Sequence, residues 1–326
     1  LNGVGSGTYS VSIVDSNNCS LNLNTTVNEP EELTMNYTIN NLLCYNDSTG
    51  SIITNVTGGV SPYKFLWSNG DTISNLGNLP SGTYTIDVND NNNCFINETF
   101  FVGEPEKLEI NFQQVHVDCF GNSTGEIDIS VVGGIPNYTY EWSNLSNDED
   151  LVNVQSGNYD LTVTDSNFCK SSISIYINQP NELIYSIQKL DLLCNNVPDG
   201  ELTINLSGGT PGYMYSIDGG INYQSSNVFT GLSSGTYSVW MKDDNGCFKN
   251  NSEFIGQPIA YSNLGSSKVD VEACYGDATG SINLVVSGQN PPYNYSWSNG
   301  FSSSQINNLT EGNYDVIVRD INNCEV

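Results

Sequence analysis

The chain has 326 residues, of which only 13% are charged, and the charges are one-sided: 36 Asp and Glu against 8 Lys and Arg, a formal net of −28. So few cations cannot neutralise a phosphate backbone or hold an anionic lipid surface, which excludes nucleic-acid binding and membrane docking as functions. No apolar run approaches the ~18 residues of a membrane-spanning helix. With 31 Gly and few of the best helix formers, the 37% hydrophobic content points to a globular, mostly β chain.

In chain order the predicted elements repeat. A Gly-x-Tyr strand at Tyr9 ends in Asp15 and Cys19, and the stretch stops at the Glu-Pro pair ending in Pro30. A turn from Cys44 to Gly50 then leads into a strand carrying Ile52, Thr54 and Val56. Pro62 precedes an aromatic strand with Tyr63, Phe65 and Trp67 on one face, and a second Gly-x-Tyr strand carries Tyr84, Ile86 and Val88 to Asp90 and Cys94 before Pro105. The same order returns from Cys119, from Cys194 and from Cys274. The nine cysteines are spaced 25, 50, 25, 50, 25, 53, 27 and 50 residues apart, an alternation that defines a unit of about 75 to 80 residues. Prolines 30, 105, 180 and 258 stand where a strand has to stop.

These boundaries predict residues 1–30 as the C-terminal part of one repeat, and 31–105, 106–180 and 181–258 as full repeats. Residues 259–326 are expected to be a repeat lacking its last strand, so that the sequence is read as a piece of a longer array. Within each unit the apolar period is two, which gives a strand one buried and one wet face. Turn signals every 8 to 12 residues suit a sandwich. The expected fold class is all-β: a tandem array of small Ig-like or PKD-like antiparallel β-sandwich domains, six or seven strands each, stapled by disulfides.

A core of this size is thin, and staples are expected. Pairing within each repeat, Cys44–Cys94, Cys119–Cys169, Cys194–Cys247 and Cys274–Cys324, is the favoured arrangement, because a unit copied in tandem is safest when self-sufficient; it leaves Cys19 over. Two alternatives stay open: pairing across each junction, Cys19–Cys44 through Cys247–Cys274, or stapling one repeat to a more distant position in the next. Any of them implies an oxidising, extracellular location.

The pattern Cys-x-Gly-Asp-x-Thr-Gly-Ser-Ile from Cys274 to Ile282, the Pro-Pro-Tyr-Asn-Tyr-Ser-Trp-Ser-Asn-Gly run from Pro291 to Gly300, and the following Gly-x-Tyr and Asp-x-x-x-Cys resemble the SprB-type repeat. That resemblance covers nearly the whole chain. It implies a large surface adhesin of Bacteroidota, of the kind that includes gliding-motility adhesins exported by the type IX secretion system. Repeat three departs, with Tyr213-Met-Tyr215-Ser-Ile-Asp-Gly219 in place of the Trp-Ser-Asn-Gly turn, and repeat two loses that turn's last glycine.

Catalysis finds little support. The one histidine, His116, has no counterpart in the other copies, and a general base needs a positioned partner. No zinc-protease or phosphate-loop motif is present. Cofactors are therefore expected to be none, with calcium the one exception weighed: Asp15, Asp90, Asp165, Asp243 and Asp320 close the Gly-x-Tyr strand, and Asp and Asn oxygens suit a hard cation. The competing reading makes each Asp a turn former that accepts backbone N–H bonds. Trp240 lies out of phase with Tyr237, Val239 and Met241 and is the candidate surface contact.

The function expected is non-catalytic: a stalk or filament segment of a repetitive surface adhesin, holding adhesive parts away from the cell. Its partners would be neighbouring repeats, surface polysaccharide or other copies of itself. The alternative is an array of carbohydrate- or partner-binding modules, attached to a secreted enzyme outside this stretch.

Overall fold

A computed structural model describes residues 2–272 and 274–326. Among them every regular element is a strand, and the strands come in sets. Strands β1 (Gly7–Val14) and β2 (Ser20–Val27) form a hairpin. The first full set is β3 (Thr34–Asn40), β4 (Gly50–Thr57), β5 (Lys64–Trp67), β6 (Leu76–Leu79), β7 (Gly82–Asn89) and β8 (Phe95–Val102). It forms two three-stranded sheets, ordered β3-β4-β6 and β5-β7-β8, all pairs antiparallel.

The second set repeats that order with β9 (Glu109–Val115), β10 (Gly125–Val132), β11 (Thr139–Trp142), β12 (Leu151–Val154), β13 (Gly157–Thr164) and β14 (Lys170–Ile177). The third does so with β15 (Ile184–Leu190), β16 (Gly200–Ser207), β17 (Met214–Ser216), β18 (Val228–Leu232), β19 (Gly235–Lys242) and β20 (Phe248–Ile255). The fourth has five strands: β21 (Asn263–Val269), β22 (Gly280–Ser287), β23 (Asn294–Trp297), β24 (Gln305–Leu309) and β25 (Val316–Arg319), with no counterpart of β8 among the described residues. Prolines 30, 105, 180 and 258 fall between sets.

The chain divides into two compact units. One comprises residues 1–114, 126–152 and 158–176; the other comprises 115–125, 153–157 and 177–326. In the first, the apolar alternation of β4, β5 and β7 buries Ile52, Trp67, Ile86 and Val88 in one core with Phe100 and Val102 of β8. In the second, Leu202, Ile204, Tyr215, Val239, Met241 and Ile255 form the core of the sheets ordered β15-β16-β18 and β17-β19-β20, and Trp297, Ile306 and Leu309 form that of the fourth set. Truncating a buried tryptophan such as Trp67 costs about 3–5 kcal/mol, a large share of what so small a core supplies.

The recurrent tyrosines fasten the turns. Tyr63, Tyr138, Tyr213 and Tyr293 each donate their hydroxyl to the carbonyl of the glycine five residues back, at 2.6–2.7 Å. Those glycines cannot be replaced: Gly58 and Gly133 have φ of +76° and +73°, and a Cβ would strike the carbonyls of Glu32 and Lys107. The Gly-x-Tyr tyrosines form tyrosine corners. Tyr9, Tyr84, Tyr237 and Tyr314 donate to the carbonyl four residues earlier, that of Gly5, Pro80, Ser233 and Thr310. Trp67, Trp142 and Trp297 donate Nε1–H to the carbonyls of Ile73, Asp148 and Ser303. In repeat three Ile217 stands in the tryptophan's place, partly buried against the core, and the neighbouring Ser216 is fully buried and bonds Asp218.

The favoured disulfide arrangement is corrected. The bridges are Cys44–Cys169, Cys119–Cys247 and Cys194–Cys324, and Cys94 and Cys274 are free thiols. Cys44–Cys94, Cys119–Cys169, Cys194–Cys247 and Cys274–Cys324 do not form. The reason is strand length. Leu42, beside Cys44, donates its N–H to the carbonyl of Gly103 just past the end of β8, whereas Cys94 precedes the start of β8. Eight extended residues, about 26 Å, separate the two ends, and a disulfide tolerates a Cα separation of at most ~7 Å. The observed pairing is the third sequence-level alternative: the turn cysteine of one repeat joins the strand-closing cysteine of the next.

Candidate functional site

The three bridges recur with one geometry, and the residues around them are the most regular polar feature of the chain. Each begins at a turn. Around Cys44, Asp47 accepts the N–H of Cys44 at 3.0 Å and that of Thr49 at 3.0 Å. Burial on its own would raise the Asp47 carboxyl; those amides and the Thr49 hydroxyl outweigh it and hold the carboxyl below its ordinary range. The turn is capped from the end of its own repeat. Glu104 accepts the N–H of Asn46, Gln179 that of Gly121 and Gln257 that of Asn196, at 2.7–3.0 Å. Glu and Gln share a side-chain oxygen at the same reach, which explains why either precedes the junction proline.

The other half of the bridge is the turn that ends the Gly-x-Tyr strand. Asp90 and Asp165 each accept two N–H groups of their own turn through Oδ1, from residues two and four ahead, at 2.8–2.9 Å. Through Oδ2 each accepts the N–H of Val60 or Ile135 from the glycine turn, at 2.9 Å. Asp243 and Asp320 repeat this with Thr210 and Asn290. One carboxylate therefore ties two turns that are thirty or more residues apart in sequence. All four are buried. For Asp90, burial by itself pushes the carboxyl up, but the amides of Val60, Cys94 and Asn92 prevail and set it below the usual carboxylate range.

This places the Asp90, Asp165, Asp243 and Asp320 oxygens on amide N–H groups, the turn-former arrangement, and not in a converging oxygen cage. Among the described residues no group of three or more His, Cys, Asp or Glu side chains stands where it could hold a metal ion.

Between the two halves sits an asparagine that sequence reasoning missed. Two residues before each closing cysteine, Asn167, Asn245 and Asn322 donate Nδ2–H to the carbonyls of Leu43, Asp118 and Leu193, the residues preceding the turn cysteines, at 2.9, 3.0 and 3.4 Å. The sulfur atoms approach the same carbonyls. Each bridge is thus a covalent bond flanked by a side-chain hydrogen bond, with Cα atoms 5.5–5.6 Å apart. The signal was present as Asp-x-Asn-x-Cys, which Asn17 and Asn92 also satisfy beside the exposed thiols of Cys19 and Cys94.

The remaining candidates are dispersed. His116 is exposed, and its Nδ1 accepts the N–H of Asn178 at 3.2 Å. Trp240 is half-buried, stacked on Phe248 of its own repeat with centroids 5.1 Å apart, and Lys242 lies over the Tyr223 ring. A set not foreseen from the sequence is Phe101, Tyr176 and Phe254. They occupy one equivalent position near the end of β8, β14 and β20, and each is more than half exposed.

Four segments of the chain, residues 36–72, 111–147, 187–222 and 267–301, match the family described as the SprB repeat. No curated protein matches the chain. Among solved structures it is similar to the N-terminal eight Ig domains of Down Syndrome Cell Adhesion Molecule isoform 1.30.30, at 13% identity and a TM-score of 0.28, covering 98% of this chain and 50% of that one. The chain thus spans half the length of that structure. It is also similar to the Sidekick-1 immunoglobulin domains 1-5, at 12% identity and a TM-score of 0.30, covering 100% of this chain and 85% of that one. A third is Drosophila OTK, extracellular domains 3-5, at 12% identity and a TM-score of 0.24, covering 69% of this chain and 92% of that one.

Proposed function

Since this chain carries four SprB repeats, we propose that it is a non-catalytic segment of an extracellular surface adhesin, a stalk that spaces adhesive parts away from the cell. The observation that supports this reading is where the recurring polar groups point. The closing aspartates, the bridge asparagines, the Glu and Gln caps and the tyrosine hydroxyls all bond to backbone atoms of the array itself. A sequence that commits its repeated chemistry to holding its own turns is built for shape. The three bridges suit an oxidising, extracytoplasmic setting. The net charge of −28 keeps neighbouring copies apart at low salt, and the scarcity of Lys and Arg removes sites for trypsin-like proteases. In this reading each repeat is a self-similar sandwich with the boundaries given by prolines 30, 105, 180 and 258, and gliding or adhesion is the process served.

A second reading, partner or polysaccharide contact, is favoured by the recurrence of Phe101, Tyr176 and Phe254 as exposed rings at equivalent positions, since an aromatic face stacks on a sugar ring. A glycan array probed with the purified chain separates the two. The stalk reading expects no saturable binding to any sugar. Binding that is lost in the triple variant Phe101→Ala, Tyr176→Ala, Phe254→Ala would replace the stalk reading with the contact reading.

A further inference from the structure

The bridges overlap along the sequence, and their order has a mechanical consequence. Cys119 lies inside the loop closed by Cys44–Cys169; Cys169 and Cys194 lie inside the loop closed by Cys119–Cys247; Cys247 lies inside the loop closed by Cys194–Cys324. Consider a pull applied between the two ends of the chain. From Cys44 the shortest covalent route crosses the first bridge to Cys169, follows the backbone for 25 residues to Cys194, and crosses the third bridge to Cys324. At full extension that route measures about 100 Å, against roughly 1,000 Å for the backbone between the same two cysteines. Much of its backbone is extended already, in β14 (8 residues) and β15 (7 residues). The other strands between Cys44 and Cys324 hang in side loops that a taut route leaves unloaded.

We infer that the array is a tension-bearing tether: its staggered disulfides form a covalent load path that takes in only β14 and β15 of the strands between Cys44 and Cys324, so an external pull leaves the other strands of those repeats unloaded. A pairing within each repeat would clamp single sandwiches, but it would leave the backbone between bridges as the only link from one repeat to the next. The staggered pairing joins each repeat to its successor twice, once through the backbone and once through sulfur. The middle bridge, Cys119–Cys247, is off the shortest route and brackets the loaded stretch from Cys169 to Cys194. It is the reserve. With Cys44–Cys169 lost, the route runs through it and lengthens from about 25 to about 130 backbone residues, roughly 360 Å more. The inference rests on bridge connectivity and does not depend on the adhesin reading, so it stands or falls separately from any binding result.

The experiment is single-molecule pulling on the whole chain, with handles at its two termini and Cys19, Cys94 and Cys274 replaced by Ser to prevent exchange. The oxidised chain is expected to reach a limiting length of about 260 Å, because only the first 44 residues, the 169–194 stretch and the last few residues can extend. Dithiothreitol is expected to raise that limit roughly fourfold, to about 1,100 Å, and to release repeat-sized steps of about 75 residues. Cys119→Ser with Cys247→Ser leaves the oxidised limit unchanged, whereas Cys44→Ser with Cys169→Ser raises it by about 360 Å. An oxidised chain that extends in repeat-sized steps to the reduced limit overturns the inference. So does a middle-bridge variant that lengthens as much as the outer-bridge variant. Because the limiting length reads covalent connectivity, a variant with a weakened fold still reports it.

Discussion

At the scale of single residues, the turns show where copies of one module have drifted from what the backbone asks. After each core tryptophan the turn bends through a left-handed residue: Gly70 and Gly300 at φ +90°, but Leu145 at φ +70° in repeat two, with 89% of its surface exposed. Before each closing cysteine the left-handed position holds Asn18, Asn93, Gly246 or Asn323, but Phe168 in repeat two. A Cβ there crowds its own backbone; Gly has none, and the short polar side chain of Asn offsets the cost by local hydrogen bonding, which Leu and Phe cannot do. Neither Leu145 nor Phe168 recovers the cost by burial. Leu145→Gly and Phe168→Asn are each expected to stabilise by about 0.5–1 kcal/mol, read as a higher denaturant midpoint with an unchanged slope; a lower midpoint in both would contradict the turn assignment. The missing glycine of repeat two was visible in the sequence as a loop change. Its backbone cost was not, because φ is set by the hairpin that closes around it.

Among the elements, strands were legible and the contacts that tie their ends were not. Alternation at Ile52, Trp67, Ile86 and Val88 marks buried positions because the side-chain period of a strand is two, and these residues form the core. The Gly-x-Tyr signature located a strand, and its tyrosine corner follows from the same few residues. By contrast the partner of Asp165 Oδ2 is the N–H of Ile135, thirty residues away, and only the folded sandwich brings them together. The asparagine two residues before each closing cysteine is a further case, read as part of a turn although it reaches the neighbouring repeat. Phe101, Tyr176 and Phe254 were overlooked because each sits next to inward residues of the same strand and differs from them only in parity. Asp165→Ala removes the acceptor of three amides, from Ile135, Asn167 and Cys169. Leaving such buried donors unpaired costs about 1–3 kcal/mol each when no water reaches them. The variant is expected to lower the chemical-denaturation free energy by at least that much, with Asp165→Asn falling between it and the parent. An unchanged midpoint would mean that the two turns do not depend on the carboxylate.

For the molecule as a whole, the cysteine spacing revealed two classes, the turn cysteines and the closing cysteines, but not which member of one class meets which of the other. Spacing is blind to partner choice because the classes alternate evenly, and three pairings satisfy the same counts. Three dimensions decide it: a strand's length keeps the two cysteines of one repeat apart, and the asparagine contact fixes the closing cysteine of the next repeat against the turn. The same blindness applies to sites of chemistry, since a buried aspartate beside asparagines fits a cation or a turn equally well until its acceptors are seen to be filled. Five surface ion pairs add little to this, and the net charge of −28 works against compactness at low salt. What holds successive repeats in sequence is covalent.

Disulfide mapping of the unreduced protein reads that arrangement most directly. Trypsin has few sites in a chain with 8 Lys and Arg, so an acid-directed protease and chymotrypsin serve, followed by mass spectrometry with and without reduction. Linked peptides joining Cys44 to Cys169, Cys119 to Cys247 and Cys194 to Cys324, with Cys94 and Cys274 alkylated as free thiols, are the expected result. Peptides joining Cys44 to Cys94 and Cys119 to Cys169 would contradict it, and would return the repeats to independent beads on a string.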